Sequence, residues 1–247
     1  MALFNSLTFD GVNSLDSGIY ITGEAVYNAP QRQVEMITIP GRNGTLAIDQ
    51  GRFENIEVTY PAGCFADDQS DFASKIMEFR NELASRFGYK RLVDTYHPDE
   101  FRLGTYSAGL EVGAVGYHQA GEFDITFDCK PQRFLTSGEA VTTLSANGSI
   151  TNPTLFASSP LLVVTGAGTL NIGDQVLTIA SGSADQEIYI DCDSQEAWEI
   201  VGGGKLSRND YIQNAGEVFP VLNPGVNNII LGTGIAQLEI TPRWWRV

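Results

Sequence analysis

The sequence predicts a mainly β chain of two domains with one principal helix. An N-terminal β-sandwich-like domain carries the helix, and a C-terminal β-sandwich of jelly-roll type follows. Three observations carry this. Apolar and polar residues alternate in short runs bounded by Gly, Pro, Asn and Asp. One segment, between Asp67 and Gly88, places its apolar residues at helical spacing instead. After Phe134-Leu135 the composition changes, which sets residues 1–135 apart from residues 153–247.

In the first domain, Asp10–Leu15 reads as a turn, and Asn43-Gly44 is a hairpin signal, because both residues of a tight hairpin turn need positive φ. Val34–Ile39 is strand-like. Asn55–Tyr60 alternates with Ile56, Val58 and Tyr60 on one face. Glu122–Cys129 does the same, with Phe123, Ile125, Phe127 and Cys129 opposite three acids. Such alternation belongs to antiparallel sheets wetted on one side. The helix places Phe72, Ile76, Phe79, Leu83 and Phe87 on one stripe. Asp67, Asp68, Ser70 and Asp71 offer N-caps and a negative first turn, Arg86 falls in the last turn, and Gly88 follows the end.

Residues 136–152, rich in Thr, Ser, Gly, Ala and Asn, read as a linker. Beyond Pro153 come short apolar runs at Leu161–Val164, Thr169–Ile172, Val176–Ile179, Ile188–Ile190, Trp198–Val201, Val218–Leu222, Ile229–Leu231 and Ile235–Ile240. Gly-Asp, Ala-Asp, Gly-Gly-Gly, Pro-Gly and Gly-Thr-Gly punctuate them, the spacing of a sandwich or jelly roll.

Composition narrows function. The 247 residues carry 15 Lys+Arg against 30 Asp+Glu, a net charge of −15. That balance opposes binding to phosphate backbones and to anionic membranes, and it favours solubility. The start, Met1–Ser6, lacks a basic region and a long apolar run, and no stretch is long enough for a transmembrane helix. Cys64, Cys129 and Cys192 are odd in number and widely spaced, as expected of reduced thiols.

Catalytic patterns are sought in vain. His97 and His118 lack metal-ligand spacing, and no G-x-S-x-G elbow marks a nucleophile. Gly202-Gly203-Gly204-Lys205 lacks the hydroxyl residue of a phosphate loop and reads as a hairpin turn. Gly166-Ala167-Gly168 lacks the third glycine of a dinucleotide fingerprint. Asp124 with Asp128, or Asp191 with Asp193, would lie roughly 7–13 Å apart on a strand, which overlaps glycosidase spacing. Acids on the wet face of a strand are far commoner than catalytic dyads. No catalytic, metal or cofactor site is expected. Trp198 reads as core, and Trp244 and Trp245, between Arg243 and Arg246, are the candidate contact residues, the alternative being that this end packs back on the protein with Arg over the Trp faces.

The order and spacing of several segments resemble the distal tail protein family of long, flexible-tailed bacteriophages. The Asp10–Leu15 turn precedes Gly18-Ile19-Tyr20, and Ile39-Pro40-Gly41-Arg42-Asn43-Gly44 precedes Gly51-Arg52-Phe53-Glu54-Asn55-Ile56. Phe123–Phe127 with Lys130-Pro131-Gln132-Arg133-Phe134 is similar to the close of the family's N-terminal domain. Asn152-Pro153-Thr154 and Ser159-Pro160-Leu161 resemble the opening of its C-terminal domain, and Phe219–Asn227 with Ile240–Trp245 resembles its end.

The resemblance implies a structural, non-enzymatic role at the virion tail tip, in a protein assembled in the bacterial cytoplasm. Residues 1–135 would form a homo-hexameric ring between the tail tube protein and the tail-tip hub or tail-associated lysin. DNA would pass through the bore, with no specific nucleic-acid or membrane binding. The C-terminal domain would be a galectin-like sandwich facing outward, within reach of receptor-binding proteins. The chain is too short for the inserted carbohydrate-binding modules of some relatives. The alternative is a carbohydrate-binding adhesin module that contacts the host wall.

Overall fold

The computed structural model describes residues 4–23, 28–115, 119–180, 186–214 and 219–247. His118, the Ala184-Asp185 turn and Val218 lie outside them. The chain divides into two compact units, residues 1–133 and residues 134–246.

The first unit is a curled antiparallel sheet. Its strands are β1 (Leu7–Phe9), β2 (Val12–Asn13), β3 (Ile19–Ile21), β6 (Ile56–Phe65), β7 (Lys90–Asp94), β8 (Glu100–Thr105) and β10 (Ala120–Leu135). They lie in the order β2-β1-β7-β8-β10-β6-β3, with β9 (Gly113–Val115) beside β10. Between β3 and β6 the chain makes a separate pair, β4 (Arg32–Thr38) and β5 (Thr45–Phe53). Asp10-Gly11 forms the β1–β2 turn at φ 50° and 84°, the left-handed pair that a tight hairpin needs.

β6 and β10 pair over ten residues, Ala120 opposite Phe65 through Cys129 opposite Ile56. Ile56, Val58 and Tyr60 are buried, as are Phe123, Ile125, Phe127 and Cys129, so the period-two reading is correct. The helix α1 spans Gln69–Ala84 and begins where the Asp68 carboxylate accepts from the Asp71 N–H. Phe72, Ile76, Phe79 and Leu83 are buried against the sheet. The Phe72 ring lies so close to β10 that a Cβ at Gly121 would collide with it. The helix stops earlier than the stripe predicts. Ser85 is its C-cap, Arg86 lies beyond it, and Phe87 is 96% exposed rather than core.

The second unit is a sandwich. Its remaining strands are β11 (Thr142–Leu144), β12 (Gly148–Asn152), β13 (Leu161–Gly166), β14 (Gly168–Ile172), β15 (Gln175–Ile179), β16 (Glu187–Asp191), β17 (Glu196–Val201), β18 (Gly204–Ser207), β19 (Ile212–Asn214), β20 (Gly225–Leu231), β21 (Ile235–Thr241) and β22 (Trp245–Arg246). One sheet runs β11-β21-β13-β16-β17-β18 and the other β12-β20-β14-β15-β19. One core takes Leu162, Ile190 and Leu238 from the first sheet and Leu170, Leu177 and Ile229 from the second.

Two sequence expectations need correction. Residues 136–152 are no linker. They include β11, which pairs with β21, and β12, which pairs with β20. Ser149 and Thr151 are exposed, while Ile150 points into the core and the buried Asn152 amide donates to the Phe156 and Leu222 carbonyls. The Val218–Leu222 run forms no strand within its described residues; Leu222 makes a single bridge to Ser158.

Gly166-Ala167-Gly168 and Gly232-Thr233-Gly234 are two tight crossings from one sheet to the other, β13 to β14 and β20 to β21. The crossings touch backbone to backbone. A Cβ at Gly168 would meet the Thr233 carbonyl oxygen at 2.6 Å, and one at Gly166 would strike that of Gly234. The glycines that fail as a nucleotide motif have this packing role. Gly202-Gly203 is the β17–β18 turn, at φ 58° and 82°.

Candidate assembly surface

The β4–β5 hairpin stands apart from both cores. Residues 40–52 are all exposed, and β4 is exposed except for Gln33. Thr38 pairs with Thr45, Ile37 with Leu46, Met36 with Ala47, Glu35 with Ile48 and Val34 with Asp49. Opposed residues share a face. One face therefore carries Val34, Met36 and Ala47, and the other carries Ile37, Leu46 and Ile48. Met36 is 62% exposed, and neither face is polar enough to be the wet side of an ordinary sheet.

Two strands alone are marginal in water, and apolar side chains on both faces make this pair more so. Arg32 and Asp49 form a cross-strand ion pair near the base, Arg52 donates to Gln33, and Gln50 to Glu35. The hydrogen bond and charge of Arg32 hold the Asp49 carboxyl below its usual range. Such exposed contacts add little. Among the described residues neither strand pairs with a third, so both outer edges offer free backbone groups. This is the chemistry of a hairpin that completes its folding against another surface.

The residues singled out from sequence are distributed differently from expectation. Trp244 is 5% exposed and belongs to the sandwich core, so the expected open terminal pair does not exist. Trp245 is half-buried, stacks on Phe156 with centroids 4.5 Å apart, and donates its indole N–H to the Ala157 carbonyl at 2.9 Å. Trp198, expected in the core, faces outward. Its strand neighbours Ala197 and Glu199 point inward instead. Tyr189 stacks on Trp198, and the Lys205 ammonium lies 3.9 Å from its ring centroid.

One acid of each pair, Asp191 and Asp128, has structural partners. Asp191 binds Arg243 through both oxygens, at 2.8 and 2.9 Å, and accepts from the Asp193 and Ser194 backbone N–H groups. Burial opposes its ionisation, but Arg243 and the two N–H groups outweigh it and hold its pKa below the usual value. Asp128 accepts from the Asn55 amide at 3.0 Å, and His97 Nδ1 lies 3.1 Å from Asp94. The three cysteines are buried, and none is in a disulfide. Burial pushes the Cys192 thiol up to about 12. Among the described residues no three His, Cys, Asp or Glu side chains converge on a metal position.

The exposure of the hairpin is what sequence reasoning missed. Its signal was present: in Val34–Ile39 and Leu46–Ile48 apolar side chains fall on consecutive positions, so no face is left polar.

Comparison with known proteins agrees with this fold. Residues 17–129 match the family of phage tail protein RIFT-related domains. No curated protein matches the chain in sequence. Among solved structures, it is similar over 98% of its length to 99% of the SPP1 Dit protein, gp 19.1, with TM-score 0.75 and 14% identity. That protein is described as a paradigm of the hub adsorption apparatus in phages that infect Gram-positive bacteria. The chain is also similar to a chain of the phage P2 baseplate in its activated conformation with Ca, with TM-score 0.53 and 9% identity over 96% and 98% of the two chains. The same baseplate with Sr gives TM-score 0.54 and 10% identity over 98% and 97%. The family match covers residues 17–129, and over its whole length the chain has a fold similar to that of the SPP1 Dit protein.

Proposed function

We propose that the chain is the subunit of a homo-hexameric ring at the tail tip, joining the tail tube to the tip hub or tail-associated lysin and leaving a bore for DNA. The observation that carries this is the β4–β5 hairpin, apolar on both faces, unpaired on both edges among the described residues and held away from its own core. A surface of this kind needs a partner, and identical subunits supply one in a ring closed by head-to-tail contacts. Charge supports the channel. Six copies of a chain with net −15 carry about −90, which lets a polyanion pass without adhering. Receptor-binding proteins would dock around the C-terminal sandwich, whose Trp244 and Trp245 are committed to internal packing.

The test is assembly. The purified chain, alone or with its tube and hub partners, should elute as a hexamer by light scattering and give six-fold rings in negative stain. Met36→Asp with Leu46→Asp should leave a folded monomer with an unchanged melting temperature. A chain that stays monomeric with every partner, or a variant that still forms rings, overturns the reading.

A further inference from the structure

A head-to-tail contact needs a second surface to receive the hairpin. The outer face of the sheet carries one, on the side opposite α1. Phe4, Tyr20 and Phe65 form a ladder there, with ring centroids 5.3 and 5.4 Å apart. Phe65 is 61% exposed although it ends the longest pairing of the sheet. Register places Tyr20 opposite Gly63 on one side of β6 and Glu122 opposite Gly63 on the other. The Tyr20 ring lies flat over Gly63, where a Cβ would sit 2.5 Å from its hydroxyl oxygen. A shallow groove results, lined by Tyr20, Thr22, Pro61, Gly63, Glu122 and Asp124. Both carboxylates are exposed.

Resting on the ring reading, we infer that this groove is the acceptor for the β4–β5 hairpin of a second copy of the same chain. Two features select that occupant. The first is charge. The hairpin tip, Ile39–Gly44, bears Arg42, exposed and without a described ion-pair partner, and the groove offers Glu122 and Asp124 beside aromatic rings. Aliphatic side chains of the hairpin cover the rings, and the guanidinium reaches the carboxylates.

The second feature is position. The hairpin joins β6 at Ile56, and the groove lies at the other end of that strand, at Gly63–Phe65. Nine residues of extended chain separate Ile56 from Phe65, about 30 Å. The hairpin is solvated throughout residues 40–52, so it does not lie back on its own groove. Donor and acceptor at opposite ends of one sheet produce a heterologous contact, not a two-fold dimer.

The experiment uses two full-length variants. In one the hairpin is disabled by Met36→Asp with Leu46→Asp. In the other the groove is disabled by Phe65→Asp with Glu122→Lys. All four positions are exposed, and melting temperatures confirm that both variants fold. Each alone should be monomeric by light scattering. Mixed one to one, they should form a dimer that grows no further, because one good hairpin meets one good groove. Arg42→Glu alone should raise the concentration of half-assembly about tenfold, and adding Glu122→Arg should restore it. Rings that persist in the groove variant, or folded variants that form no dimer when mixed, overturn the acceptor assignment and leave the ring reading intact. A wild-type chain that never assembles overturns both.

Discussion

The Asp191–Arg243 pair ties the end of the chain to β16 across 52 residues. Arg243 sits at φ 56°, a left-handed conformation that a non-glycine residue adopts only when its surroundings hold it. Its N–H donates to the Gly138 carbonyl at 2.8 Å, and the turn delivers Trp244 into the core. Asp191→Asn removes one partner of a half-buried bidentate pair and should cost about 1–3 kcal/mol at neutral pH. The folded-state pKa of Asp191 is depressed, so its contribution is complete above the unfolded value near 3.9 and is lost as pH falls through the folded value. Urea unfolding at neutral pH and again near pH 3 checks this: the gap between wild type and variant should shrink in acid. None of this is visible in sequence. Spacing pairs Asp191 with Asp193 and makes Trp244 look like an open chain end, because a contact 52 residues long leaves no local signal.

The elements differ in legibility for reasons of period and edge. β6 and β10 were readable because each has one buried face, and burial writes strict alternation into the sequence. The α1 stripe was readable for the same reason at period 3.6, and Phe79 lies near its centre, against Phe123 at 6.4 Å. Phe79→Ala should cost about 3–5 kcal/mol, measured by denaturant midpoint, and should lower solubility. A variant that keeps its melting temperature and loses only assembly would make the stripe an interface. Phe87 extended the stripe by chance of spacing, four residues after Leu83, in chain that had already left the helix. β11 and β12 were unreadable because they are sheet-edge strands with few inward side chains, and an edge strand of Thr, Ser and Asn has the composition of a linker. The hairpin was seen as strands but not as a surface, since a sequence shows which residues are apolar and not what remains to cover them.

At the scale of the whole molecule, the two units have separate cores. The hairpin and the groove both belong to the first, so a chain ending at Leu135 should still form rings by light scattering and microscopy. Rings formed only by the C-terminal half would contradict this. The hairpin also governs how such rings appear in time. Every open string of subunits ends in one bare hairpin and one bare groove. The last contact of a circle joins two ends already tethered to each other, so its strength depends on their effective local concentration and not on the amount of protein in solution. Closure therefore drains the incomplete strings. The population divides into free subunits and finished circles, and sticky intermediates that could clump stay scarce.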